Sequence, residues 1–158
     1  MLRDGTLIAD HFGVVDETVV NLSKEKSNLR LLTHNVARLE FRPIDDPELL
    51  PAGRSGVLLA TGDFVDGDFQ CVTNGKVLIR SVLFGRRSFA LDRKVAAVIL
   101  RDVAPQPAAF EIRTLDGSTW RAKSVTLEDG ALQADVALIG RWRIPAAELR
   151  GIVRIAGP

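Results

Sequence analysis

Three glycines set the period of this chain: Gly5, Gly62 and Gly117 lie 57 and 55 residues apart, and the same pattern follows each. A large apolar residue comes three positions later (Ile8, Val65, Trp120). Further apolar residues come ten positions later (Val15, Val72, Leu127) and fifteen positions later (Val20, Val77, Leu132). Turn residues fill the gap between the last two sets: Asp16-Glu17-Thr18, Thr73-Asn74-Gly75 and Glu128-Asp129-Gly130. Gly85 and Gly140 fall 23 residues after their anchors, where the first copy has Asn28. Each copy closes on an apolar strand: Val36-Leu39-Phe41, Val95-Val98-Leu100, and Leu149-Ile152 with the polar Arg154. A fixed period of this length marks a repeated supersecondary unit. Units this small bury little core alone, so the copies are expected to pack on one another or to pair edge strands.

The repeat divides the chain into a divergent first unit at 1–44, a linker at 45–55, a second unit at 56–103, a linker at 104–109 and a third unit at 110–158. Both linkers are marked by proline, and the first predicts a helical turn near Pro47. In the first unit the polar run from Ser23 to Asn28 replaces an apolar strand end. Asn74-Gly75 and Asp129-Gly130 are the dipeptides selected by a two-residue type I′ hairpin, whose central residues both need positive φ. Val65, Phe69 and Cys71 alternate with Asp66, Asp68 and Gln70, and Val77, Ile79 and Leu83 continue a buried face beyond the turn. About five short strands per unit follow, with no sustained helical period. The fold class is all-β: three tandem five-stranded small-barrel units, packed or edge-paired.

Composition narrows the function by exclusion. The 21 basic and 20 acidic residues give a net charge of +1, so no long-range field steers the protein to nucleic acid or an anionic membrane. The single cysteine, Cys71, excludes an intrachain disulfide and a cysteine-cluster metal site, and its place in a strand suggests a buried, inert thiol. No apolar run reaches membrane-spanning length, and the N-terminus lacks a signal peptide's basic start and apolar centre. The chain is therefore cytoplasmic, or it belongs to a longer secreted protein. The second expectation, extracytoplasmic, is slightly favoured because Met1 abuts the first repeat with no lead-in.

The chemistry-bearing side chains fall into three sets. His11 and His34, the only histidines, both lie in the divergent unit with no nucleophile or metal partners patterned around them. Asp63, Asp66 and Asp68, with Gly62 and Gly67, form the best acidic cluster, and calcium is the ion such oxygen ligands would take. EF-hand spacing is absent, however, and alternation separates Asp63 from the other two, so a solvated strand face is the plainer reading. The third set is a candidate binding surface of Arg80, Arg86, Arg87, Arg93 and Lys94, extended in the third unit by Arg141, Trp142 and Arg143. Guanidinium groups beside an aromatic suit phosphate or stacked bases; with balanced net charge and few aromatics, a solvated or interface-forming arginine edge is the plainer reading. Trp120 holds a core position of the repeat, whereas Trp142 between two arginines suits a protein contact or a stack on a sugar, or is an ordinary barrel-lid residue. No phosphate loop, GxSxG, HExxH or paired CxxC occurs, so neither catalysis nor a cofactor is expected.

Five strands in about 45 residues, opening on Leu115-Asp116-Gly117 and closing through Ile144-Pro145 on the strand at 149–152, resemble the Sm-like and SH3-like small barrels. In the second unit Thr61-Gly62-Asp63, Val65-Asp66-Gly67 and the strand at 95–100 carry the likeness. The resemblance implies assembly by pairing between the last two strands of neighbouring units. It does not carry over RNA-binding residues. Turn residues at 16–18, 73–75 and 128–130 replace the family's Asn-bearing loop, and its late Arg-Gly is absent at His34-Asn35, Arg93-Lys94 and Ala147-Glu148. The wording of the units is also similar to repeat regions of large secreted bacterial proteins of planctomycete type, which implies an extracytoplasmic spacer. The expected function is a non-catalytic, self-associating scaffold or spacer, with a homo-oligomer or protein partner. An Sm-like oligonucleotide binder is the alternative, and a glycan-binding module a further one.

Overall fold

The computed structural model describes residues 1–24, 27–44, 46–91 and 94–155. Among the described residues it is all-β, with three antiparallel sheets and only short 3-10 turns besides. Contacts gather the chain into two compact units, His11–Asp102 and Met1–Asp10 with Val103–Pro158.

The unit His11–Asp102 holds ten strands: β1 (Phe12–Asp16), β2 (Val19–Lys24), β3 (Ser27–Leu32), β4 (Arg38–Glu40), β5 (Gly56–Leu59), β6 (Phe64–Asp66), β7 (Asp68–Thr73), β8 (Lys76–Ser81), β9 (Gly85–Ala90) and β10 (Val95–Ile99). Six of them form a sheet in the order β3-β2-β1-β7-β8-β9, and four form a second in the order β4-β10-β5-β6. Two of its hairpins close by their local chemistry. Asn74 and Gly75 adopt φ of 48° and 67°, the type I′ geometry expected of that dipeptide. The first copy has no glycine at its turn; there Asp16 Oδ1 accepts the N–H groups of Thr18 at 2.7 Å and Val19 at 2.8 Å.

The joint between the two sheets is Gly67. It separates β6 from β7, so the strand read as continuous from Val65 to Cys71 contributes its halves to different sheets. A Cβ there would lie 2.9 Å from Ile79 Cδ1 and 3.0 Å from the Arg80 carbonyl oxygen, a space that only glycine fits. Val15, Val20, Val77 and Ile79 are buried in the larger sheet. In the smaller one both faces are covered: Val57 and Val98 are buried, and Leu58, Ala97 and Ile99 form a cluster joined by Ile44, Leu50 and Phe64. That explains the nearly unbroken apolar runs of β5 and β10. The segment 45–55 carries the expected turn as a 3-10 helix, Pro47–Leu49, and Leu50 packs onto this sheet.

Strands from either side of the segment 45–55 interleave. β1 pairs with β7 through Val15 opposite Val72, and β4 pairs with β10 through Leu39 opposite Val98. Both are pairs of residues that the sequence period expects at equivalent places.

The other unit has one five-stranded sheet built from β11 (Phe110–Thr114), β12 (Thr119–Glu128), β13 (Ala131–Val136), β14 (Gly140–Pro145) and β15 (Leu149–Arg154), in the order β14-β13-β12-β11-β15. Asp129 and Gly130 repeat the positive-φ turn, at 47° and 68°. Trp120, Ile112, Leu132, Ala134, Val136 and Ile144 form its core. Leu7 bridges Thr119 by reciprocal backbone bonds of 2.8 Å, so residues near the N-terminus extend this sheet.

Three expectations are corrected. The sheets are open, of six, four and five strands, where three closed five-stranded barrels were expected. The physical reasons are the break at Gly67 and the strands β1 and β4, which pair with β7 and β10. Leu83, expected on a buried face, is 82% exposed, because β8 ends at Ser81 and the alternation runs out into a turn. Cys71 is a half-buried free thiol on β7, not fully buried.

Candidate functional site

The basic residues read from the sequence are dispersed by the fold. The hairpin β8–β9 sets Arg80 opposite Arg86 and Ile79 opposite Arg87. Between the strands the turn Val82-Leu83-Phe84 projects three consecutive apolar side chains, exposed by 96%, 82% and 57%. The Arg87 guanidinium sits 5.4 Å from the centre of the Phe84 ring. Lys94 lies beyond the other end of β9, about 20 Å away for a strand of this length. Its carbonyl accepts the Ala60 N–H. Arg93 lies outside the described residues. Of the expected surface in the second copy, therefore, Arg80, Arg86 and Arg87 gather at one hairpin end and Lys94 does not join them.

Arg80 also faces Asp68 on its other side, across β7 and β8. Both line a cleft of about 330 Å³, together with Glu17, Gln70 and Arg101. Two cations and two carboxylates leave that cleft without a net preference for an anion.

The three aspartates are not assembled into a metal centre. Asp66 takes both Nε, at 2.8 Å, and Nη2 of Arg54, a bidentate pair that holds its carboxyl below the usual carboxylate range and raises the guanidinium. Asp63 accepts the Thr61 hydroxyl at 2.8 Å. Asp68 starts β7, across Gly67 from Asp66 and in the other sheet. Among the described residues no group of three His, Cys, Asp or Glu side chains is placed to hold a metal ion. His11 and His34 are both exposed.

On β14 the alternation separates the remaining candidates. Arg141 and Arg143 are exposed, and Arg143 Nη2 donates to the Asp129 carbonyl at 3.3 Å. Trp142 turns to the other face and stacks on the buried Trp120, with ring centres 5.6 Å apart and planes 19° apart. One face of the Trp142 ring is therefore occupied by the protein's own core.

The sequence reading missed the exposed apolar turn at 82–84 and the exposure of the sheet edges. Leu127 on β12 is 68% exposed, and Ile152 on β15 is 43% exposed. The signal for the turn is present in the three apolar residues just before Gly85; the signal for the edges is not, because strand neighbours are a tertiary property.

The fold defines an all-β protein of open antiparallel sheets with strand edges on both compact units. Among the described residues no helix is long and apolar enough to cross a membrane. Comparison with protein-family models, curated proteins and solved structures returned no match.

Proposed function

We propose that the chain is a non-catalytic interaction module of three tandem small-barrel-like units that associates through its sheet edges, first of all with itself. The observation that carries this reading is the pairing of β1 with β7 and of β4 with β10, in which one copy already recognises another by edge addition. Edge strands left without a partner invite the same contact between molecules. The strand order β14-β13-β12-β11-β15, with the opening strand beside the closing one, supports kinship with the small barrels in topology. Mass in solution, measured by light scattering on a sizing column over a range of concentration and salt, tests the proposal. A stable oligomer is the expected result; a monomer throughout overturns it, as would turnover mapped to any Asp or His of the chain.

A second reading, oligonucleotide binding, is favoured by the Arg80–Arg86 rung, where like charges face one another and an anionic ligand would relieve them. It requires an affinity that falls steeply with added salt and weakens in Arg86→Ala and Arg87→Ala. Salt-independent binding, or no binding, removes it.

A further inference from the structure

The contact between the first two copies has the form of a local twofold. Val15 lies opposite Val72, and both stand ten residues after their anchor glycines. At the other edge Leu39 lies opposite Val98. Hydrogen bonds there come in mated pairs. Phe41 N–H donates to the Ala96 carbonyl at 2.9 Å, and Leu100 N–H to the Ala37 carbonyl at 2.8 Å. Arg42 N–H reaches Ala96 at 3.3 Å, and Arg101 N–H reaches Ala37 at 3.0 Å. Aligning the closing strands makes Phe41 equivalent to Leu100 and Ala37 to Ala96, so each bond is the image of its mate. A contact of this kind is self-complementary, which is what an isologous dimer requires.

The third copy retains both edges with no strand paired to them among the described residues. Leu127 occupies the place of Val15 and Val72. The two-residue turn makes Glu128 and Ala131 the hydrogen-bonded pair that closes the hairpin, so the N–H and C=O of Leu127 point away from β13. β11 does not cover them, since its pairing with β12 ends at Ala122. On β15, Ile155 N–H donates to Ala109 at 2.9 Å; alternation then turns the N–H groups of Ile152 and Arg154 to the free edge, and the register shift between Arg113 and Thr114 falls at Arg150. Ile152 holds the place of Leu39 and Val98.

We infer that these two edges form a twofold interface with a second copy of this chain: β12 pairs with β12 about Leu127, and β15 with β15 about Ile152, both antiparallel. The inference rests on the self-association reading and adds to it the edges, the register and a stoichiometry of two. Three exposed apolar side chains, Leu127, Ile152 and Val153, are covered by the pairing. The register sets Arg154 N–H of each molecule against the Arg150 carbonyl of the other, and brings the two arginine side chains directly across the strands. Like charges opposite one another oppose association, so the dimer tightens as salt is added.

Sedimentation equilibrium of the full chain at low and high salt, with two register reporters, tests the inference. Arg150→Glu converts two like-charge rungs into two opposite-charge rungs and is expected to lower the dimer dissociation constant about tenfold at low salt. Adding Arg154→Glu restores like charges and abolishes the gain. Leu127→Cys in a Cys71→Ser background is expected to give a disulfide-linked dimer on mild oxidation, while Arg141→Cys on β14 does not. A dimer that forms without either response overturns this register and leaves the self-association reading standing on another edge. A monomer at every concentration and salt overturns both.

Discussion

Trp120 offers a test in which two effects of similar size oppose one another. It is buried in the five-stranded unit and stacks on Trp142, yet its Nε1–H has no hydrogen-bond partner among the described residues. Trp120→Ala removes the whole ring, and such truncations cost roughly 3–5 kcal/mol. Trp120→Phe keeps an aromatic body and loses roughly 50 Å² of buried apolar area, worth about 1.2 kcal/mol. The incompletely filled space adds about 1 kcal/mol more. Against that loss, the phenyl ring has no N–H to leave unpaired, and an orphaned buried donor costs roughly 1–3 kcal/mol. The terms nearly cancel, so Trp120→Phe is expected within about 1 kcal/mol of the parent. Urea unfolding followed by circular dichroism reads both variants as shifts of the midpoint at constant slope. If Trp120→Phe falls as far as Trp120→Ala, the indole N–H has a partner and the reasoning fails.

Gly67→Ala is expected to cost about 1–3 kcal/mol, because the new methyl meets a backbone carbonyl as well as the movable Ile79 side chain; an unchanged urea midpoint would show that the joint has slack. Asn74→Val places a β-branched residue at φ 48° and is expected to lose about 1–2 kcal/mol, recovered by Asn74→Gly, in the same assay. Backbone N–H groups of Thr18 and Val19 hold the Asp16 carboxyl below its ordinary value of 3.8, as Arg54 does for Asp66. A carboxylate whose folded pKa is depressed stabilises above the unfolded pKa and loses that contribution as pH falls through the folded one. Thermal stability is therefore expected to fall on acidification below about pH 4, and less so in Asp16→Ala; an equal fall in that variant removes Asp16 from the acid response.

Features fixed by a few neighbouring residues are legible in the chain's own wording. Asn74-Gly75 and Asp129-Gly130 specify positive φ by their own sterics, and both turns form. Trp120 stands at a repeat position otherwise held by apolar residues, and it is core. Leu83 departs from its expected place because alternation says which face a residue takes but not where the strand stops. The candidate surface is legible only as composition. Arg80, Arg86 and Arg87 converge because β8 and β9 are paired in a particular register, while Lys94, close to them in sequence, lies beyond the far end of β9.

The sequence by itself determined the strand-and-turn vocabulary, because turn dipeptides and apolar alternation depend on residue type and short spacing. Only the tertiary structure decided how strands are shared. One glycine with no room for a Cβ sends the halves of a strand into two sheets, and the outer edges of β1 and β4 are closed by β7 and β10. Backbone hydrogen bonding is blind to side-chain identity, so an unpaired edge accepts whichever edge of matching geometry the fold brings to it. That choice is made by three-dimensional proximity, which no local pattern encodes.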